Sequence, residues 1–332
     1  MLVPILLFIV GLVLLIKGGD WFVDAATGIA QRFHVPELLI GATVVSIGTT
    51  LPEVMVSATS AVTGHGEIAY GNALGSIICN TALIAALTAA IRPSKIDTKT
   101  LKVPVIFYFV ALGLYMVSAY VLGYFSRPVG IILLAVFVVY MVILVKQALG
   151  SKDENSSEAS DKETAEAAGE AGNSLVKDIV MLVIGAAFIA VGADLLVDNG
   201  TLIAAGLGVP ESVIALTFVA LGTSLPELVT AITSLAKGHG ALSLGNVCGA
   251  NLFNLVLVSG LSVTLAPFSL PASKVINLAG NAVNASLVID LPLCALVMGI
   301  LTLPALFKGE LKRWQGVSLL IMYAAFCIFQ FV

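Results

Sequence analysis

Ten stretches of this chain are apolar over the length of a membrane span: roughly residues 3–29, 36–63, 69–91, 103–122, 128–147, 178–206, 211–236, 241–267, 285–306 and 314–331. A bilayer core takes about 20 apolar residues of helix. Composition agrees, with 59% hydrophobic and 11% charged residues, where a soluble domain carries about 25% charged. The expected fold class is an all-α polytopic membrane protein with ten transmembrane helices. The first segment is read as a helix and not a signal peptide, because neither a charged n-region nor a small-residue cleavage site flanks it.

The net charge of −4 constrains little, because most charges fall between the apolar segments. Their distribution is more informative. Alternate loops, starting after segment one, hold Arg32; Arg92, Lys95, Lys99 and Lys102; Lys146, Lys152, Lys162 and Lys177; Lys237; and Lys308, Lys312 and Arg313. The other loops hold only Arg127 and Lys274. Cytoplasmic loops carry the Lys/Arg excess, so the first set is expected inside and both termini outside. Cys79, Cys248, Cys294 and Cys327 lie in apolar segments without CxxC spacing and read as small packing residues. His34, His65 and His239 lie near segment ends, and no His/Cys cluster suits zinc or haem.

Shifted by 174 residues, the chain meets itself. Residues 36–81 and 210–255 align without a gap, with 19 of 46 identical. "PELLIGATVVSIGTTLPEV" meets "PESVIALTFVALGTSLPEL", and "GHGEIAYGNALGSIICN" meets "GHGALSLGNVCGANLFN". The same register aligns Asp20 with Asp194 and Asp24 with Asp198. One period holds five spans, an odd number, so the second copy must enter the bilayer from the opposite face. The expected organisation is two inverted five-helix repeats, 1–148 and 177–332, joined by an acidic, solvated cytoplasmic linker, 149–176. Inverted repeats are typical of secondary transporters, whose site lies at midplane where helices are broken.

The chemistry sits in the repeated blocks. Pro52 and Pro226 lack an N–H and deprive the carbonyls of Gly48 and Gly222 of helical partners. In lipid such carbonyls must line a cavity or find a partner. Thr49 and Thr50, with Thr223 and Ser224 in the second copy, stand beside them. Glu53 and Glu227 follow the prolines. Thr49 and Glu53, like Thr223 and Glu227, are four apart and share a face while the helix holds. The next segment adds Asn72, Ser76 and Asn80, against Asn246, Ala250 and Asn254. Carboxylates, hydroxyls, amide oxygens and freed carbonyls, without sulfur or imidazole, make a hard-cation site. Ca²⁺ takes six to eight oxygens in flexible geometry, whereas Mg²⁺ gives up its water reluctantly. An intramembrane carboxylate costs about 2.5–3.5 kcal/mol on insertion scales and marks function by default. Asp20, Asp24, Asp194 and Asp198 read as helix-end or packing groups, with gating or orienting as the alternative for Asp20 and Asp194; Asp290 reads as a local structural group, and the two Gly-His-Gly stretches as tight turns.

These blocks, G-T-[TS]-L-P-E and G-N-x-x-G-[SA], resemble the paired repeats of the calcium/cation antiporter superfamily, in particular prokaryotic sodium/calcium exchanger-like proteins. The resemblance covers essentially the whole chain. It implies a multi-pass protein of a prokaryotic inner or plasma membrane, with segments 2, 3, 7 and 8 as ion core and segments 1 and 6 as long sliding helices. Carried over by position, the ligands are Ser46, Thr49, Thr50, Glu53, Ser76 and Asn80 from the first repeat, and Thr223, Ser224, Glu227, Asn254 and the Ala220 carbonyl from the second. Three positions depart from the pattern. Ala250 stands where a hydroxyl is expected, Asn254 where K⁺-cotransporting relatives carry Asp, and Ser46 where a small residue usually lends its carbonyl.

The expected function is antiport of Ca²⁺ out against Na⁺ by alternating access, with no enzymatic activity and no cofactor. The partners are inorganic cations and the lipid bilayer, with neither nucleic acid nor an obligatory protein partner. H⁺/Ca²⁺ exchange through the same two glutamates is the alternative. A cation channel and a non-transporting sensor are the readings from other classes; single-channel currents, or Ca²⁺ binding without flux, would identify them.

Overall fold

Apolar segments of membrane length fold as helices because the helix satisfies its own backbone. The computed structural model, which describes residues 2–156, 167–207, 222–271, 275–278 and 281–331, bears out an all-helical membrane architecture. Among the described residues, eight helices are long and apolar enough to cross a membrane: Leu2–Arg32, Glu37–Val62, Gly66–Ile91, Thr98–Leu122, Arg127–Ala148, Leu175–Ile203, Gly240–Leu265 and Ser286–Lys308. Of the ten expected spans, the seventh is described only from residue 222 onward, as the helix Leu225–Lys237. The tenth is a 19-residue helix, Arg313–Phe331, which is not among those eight. Residues at both ends of the expected linker are also helical, up to Ser156 and from Ala167; residues 157–166 lie outside the described ones.

In chain order the α-helices are α1 (Leu2–Arg32), α2 (Glu37–Ile40), α3 (Ser46–Val62), α4 (Gly66–Cys79), α5 (Ala86–Ile91), α6 (Thr98–Val117), α7 (Arg127–Ser156), α8 (Ala167–Gly206), α9 (Leu225–Lys237), α10 (Gly240–Phe253), α11 (Ser259–Leu265), α12 (Leu291–Lys308) and α13 (Arg313–Phe331). Widened π-turns interrupt the spans at Gly41–Val45, Asn80–Ala85, Ser118–Leu122, Asn254–Val258 and Ser286–Asp290. Two of them begin at Asn80 and Asn254, which are equivalent positions of the repeat. Such turns are rare, and they are frequent at functional sites.

The chain packs as two compact units, Met1–Thr49 with Leu144–Asn246, and Thr50–Ile143 with Val247–Val332. Each sequence repeat contributes to both. In the first unit α1 lies along α8. A Cβ added at Gly11 would sit 2.9 Å from the Gly192 carbonyl oxygen, and one at Gly18 would sit 2.9 Å from that of Gly185. Pairs 11/192 and 18/185 run in opposite directions, so the two helices are antiparallel. Small residues at these points let the backbones meet, while Phe22, Val23, Ala26, Ile189 and Leu242 fill the adjoining core. Asp20 and Asp24 lie inside α1, not at its end, and are held by Lys237 of α9, at 3.4 and 2.8 Å.

In the second unit α4 packs against the π-turn 254–258 and against α12. Tyr108 donates to the Cys294 carbonyl at 3.1 Å, and Tyr115, Phe125 and Phe268 pack in series as tilted rings, with centroids 4.5 and 5.5 Å apart. Three short antiparallel strand pairs, which the all-α expectation lacked, tie loops together: β1 (Ser94–Lys95) with β6 (Glu310–Leu311), β2 (Tyr124–Phe125) with β3 (Phe268–Ser269), and β4 (Val275–Leu278) with β5 (Asn281–Asn284). Loop backbone leaving a helix end has open N–H and C=O groups, and a neighbouring loop at the same level satisfies them.

Candidate cation site

The turn Gly-His-Gly recurs in both copies with the same shape: Gly64 and Gly238 have φ of 88° and 89°, a left-handed conformation that glycine adopts without strain. Each turn reverses the chain so that the helix carrying the glutamate is followed by the helix carrying the asparagines. His239 adds a contact that the sequence did not announce, Nδ1 to Glu37 Oε1 at 2.9 Å.

In the first unit the site is built on three elements. A Cβ at Gly41 would lie 2.3 Å from the Leu242 carbonyl oxygen, and one at Gly245 would lie 2.2 Å from that of Leu38. The start of the second span is therefore pressed backbone to backbone against α10. Across this contact the buried Asn246 gathers polar groups. Ser46 Oγ lies 2.7 Å from the Gly41 carbonyl, 3.0 Å from the Asn246 carbonyl and 3.3 Å from Asn246 Oδ1. Thr49 Oγ1 donates to Asn246 Oδ1 at 3.2 Å, and Asn246 Nδ2 donates to Thr230 Oγ1 at 3.1 Å. Thr230 in turn donates to the Pro226 carbonyl at 2.7 Å. The Ser46 hydroxyl is thus spent on backbone and amide oxygens. That explains how serine stands where a carbonyl donor is expected.

Glu227 lies in the first turn of α9, fully buried, and neither carboxylate oxygen accepts a hydrogen bond. The Thr49 hydroxyl is within electrostatic reach of it. Ser224 occupies the N-cap position but makes no capping bond, and its buried hydroxyl has no partner. Thr223 precedes the helix in a turn, so it does not share a helical face with Glu227 as the four-residue spacing predicted. Ala220 lies outside the described residues.

In the second unit Glu53 is fully buried in α3, which runs on through Pro52. Asn72 Nδ2 donates to Ser57 Oγ at 2.9 Å and to the Glu53 carbonyl at 3.4 Å. Thr50 Oγ1, both polar atoms of the Asn80 side chain and both of Asn254 are buried without a hydrogen-bond partner. Ser76 is buried on α4. A buried amide without partners costs about 1–3 kcal/mol, and a buried carboxylate costs more. Among the described residues, no three His, Cys, Asp or Glu side chains gather as a metal cluster. Each unit thus buries one carboxylate together with hydroxyl and amide groups, donors of the kind that suit a hard ion. Asn246 stands in the repeated G-N-x-x-G block, but its bonds to Thr49 and Thr230 have no signal in the sequence, and Thr230, three residues after Glu227, is not singled out there.

Comparison with known proteins identifies the family. The family model described as "Sodium/calcium exchanger protein" matches residues 3–146 and 177–332. An uncharacterised membrane protein of Methanocaldococcus jannaschii, MJ0091, is 33% identical over 318 residues, covering 95% of this chain and 94% of the relative. The sodium/calcium exchanger MaX1 of Methanosarcina acetivorans is 30% identical over 357 residues, covering 99% of each chain. The solved structure of the sodium-calcium exchanger NCX_Mj soaked with Na⁺ and Sr²⁺ superposes with a TM-score of 0.78 at 30% identity, over 98% of this chain and 97% of that one. This chain is a multi-pass integral membrane protein of the plasma membrane, a transporter and not an enzyme, with inorganic cations as its substrates. It belongs to the sodium/calcium exchanger protein family.

Proposed function

We propose that the chain exports Ca²⁺ in exchange for Na⁺ by alternating access, on ten spans arranged as two inverted repeats. The observation that carries the reading is Glu227, a fully buried carboxylate without a hydrogen bond, in a repeat whose other copy buries Glu53. Two carboxylates match the charge of one Ca²⁺. Thr50, Ser76, Asn80, Ser224, Asn254, Thr49, Thr223 and the carbonyls of Ser46 and Ala220 complete the set, and Na⁺ takes overlapping subsets of the same oxygens. Empty, the pair of bare charges makes a dry occluded state costly. Loaded, it does not, so the carrier changes orientation only with an ion aboard, and a ligand shifts a conformational equilibrium only through such a difference.

The inverted arrangement is supported by α1 and α8. They occupy equivalent places in the two repeats, Gly11 and Gly18 aligning with Gly185 and Gly192, and they run antiparallel. The number of spans is supported by the strand pairs. Five of the eight candidate spans lie between β1 and β6 and three between β2 and β3, yet paired strands must share a face and so be separated by an even number. One further crossing between Ile203 and Gly240, where α9 lies, satisfies both pairs.

H⁺/Ca²⁺ exchange is the second reading. It is favoured by Ala250, buried where a hydroxyl would serve Na⁺, and by the ease with which burial and like charge keep carboxylates protonated. Radiolabelled Ca²⁺ uptake into proteoliposomes separates the two. An outward Na⁺ gradient at equal pH should drive uptake and a pH gradient without Na⁺ should not. The reverse pattern would assign the proton as driving ion, and single-channel currents would overturn antiport altogether.

A further inference from the structure

We infer that Asn246 is a positioning residue for cation binding: it takes the proton of the Thr49 hydroxyl, so that the oxygen lone pairs of Thr49 are free for the ion. The inference rests on the ion-site reading above and adds a residue to it.

A hydroxyl has one proton and two lone pairs. It can ligate a cation only if its proton is accepted elsewhere. Thr49 has three candidate acceptors: Asn246 Oδ1 at 3.2 Å, the Ser46 carbonyl at 3.5 Å, and Glu227 within electrostatic reach. A cation held by Glu227 repels that proton, and of the remaining two acceptors Asn246 is the closer. The orientation of the amide is fixed in turn. Thr230 gives its own proton to the Pro226 carbonyl at 2.7 Å, with the Glu227 carbonyl at 3.0 Å as the alternative. It can therefore only accept from Asn246. The NH₂ group must face Thr230, at 3.1 Å, and the amide oxygen must face Thr49 and Ser46. A flipped amide would set NH₂ against the Thr49 hydroxyl and draw its lone pairs away from the ion. All four side chains are buried. The amide thereby links the backbone of Pro226 and Glu227 to a hydroxyl carried by the other repeat.

The test uses purified full-length protein and reads the Na⁺ concentration that half-displaces radiolabelled Ca²⁺, together with the maximal Ca²⁺ bound. Asn246→Ala should raise the half-displacing Na⁺ concentration roughly threefold to tenfold, the worth of about one hydrogen bond, and leave maximal Ca²⁺ binding unchanged. Thr230→Val, which removes the acceptor fixing the amide, should shift it in the same direction by less. Because both act through Thr49, neither should add to the loss in Thr49→Val. Wild-type Na⁺ displacement in Asn246→Ala, or effects that multiply in the double variant with Thr49→Val, would overturn the inference. If Asn246→Ala does not yield folded protein, Thr230→Val combined with Thr49→Val decides on the same criterion. Glu227→Gln separates this from failure of the site itself. Retention of Ca²⁺ binding there refutes the ion site, whereas its loss alongside a wild-type-like Asn246→Ala refutes only the role of Asn246.

Discussion

Gly48–Glu53 and Gly222–Glu227 carry nearly the same residues on different backbones. In the first copy the helix runs from Ser46 to Val62 and carries Pro52 inside it. In the second, Thr223 and Ser224 form a turn and the helix starts at Leu225, with Pro226 at its beginning. A proline costs about 3 kcal/mol in a helix interior and almost nothing in the first turn, where its missing N–H has no partner to lose. The motif therefore sets a carboxylate behind a proline and leaves the backbone ahead of it to its surroundings. In the first copy those surroundings include Asn246, which receives Thr49 and lies against Ser46. The equivalent Asn72 donates to Ser57 and to the Glu53 carbonyl of its own copy.

The comparison breaks most visibly at the two acids. Glu53→Gln and Glu227→Gln should each lower Ca²⁺ exchange by on the order of a hundredfold or more, because removing one charge of a buried set costs about 3–5 kcal/mol, while membrane insertion is retained. Wild-type flux in either variant would mean that one copy works alone.

Opposite faces for the two turns give the next largest contrast. In a variant lacking the four cysteines, Thr63→Cys should react with an impermeant maleimide applied to intact cells, and Ala236→Cys should not. Equal labelling would remove the inversion.

Smaller effects sharpen the local difference. Ser224 sits at an N-cap without capping, so Ser224→Ala should spare the roughly 1 kcal/mol an N-cap usually contributes. Its melting temperature should stay near wild type while half-saturating Na⁺ rises severalfold. A lower melting temperature with unchanged Na⁺ dependence would make the hydroxyl structural. Ala250→Ser, which restores the mirror of Ser76, should alter Na⁺ activation more than Ca²⁺ affinity, since a neutral oxygen adds no charge; superimposable Na⁺ curves would place the position outside the site. The smallest effect expected is none. Asn80 and Asn254 are amides, and a co-transported K⁺ would call for a third carboxylate, so replacing K⁺ with choline should leave exchange intact. A steep K⁺ dependence would point to another acid.

Much of this was legible in the chain itself. Span length follows from lipid thickness and the repeat from simple alignment, and the glutamates stood out because a carboxylate in an apolar run needs a reason. What escaped had no one-dimensional signature. Asn246 lies in the aligned stripe with Asn72, but its bonds to Thr49 and Thr230 depend on how closely Gly41 and Gly245 let two backbones approach. The break before α9 and the continuity of α3 come from one motif in two environments, so no local reading could tell them apart. Two of the strand pairs form from loops far apart in sequence, and the linker ends continue the neighbouring helices where solvent was the expected setting.

The account stands on the claim that two mirrored copies make one ion site. Equilibrium binding of radiolabelled Ca²⁺ to the purified protein tests it most directly. It predicts one Ca²⁺ per chain, displaced by Na⁺, and lost in Glu53→Gln and in Glu227→Gln alike. Two Ca²⁺ per chain, or full binding in either single variant, would show instead that each copy holds its own ion.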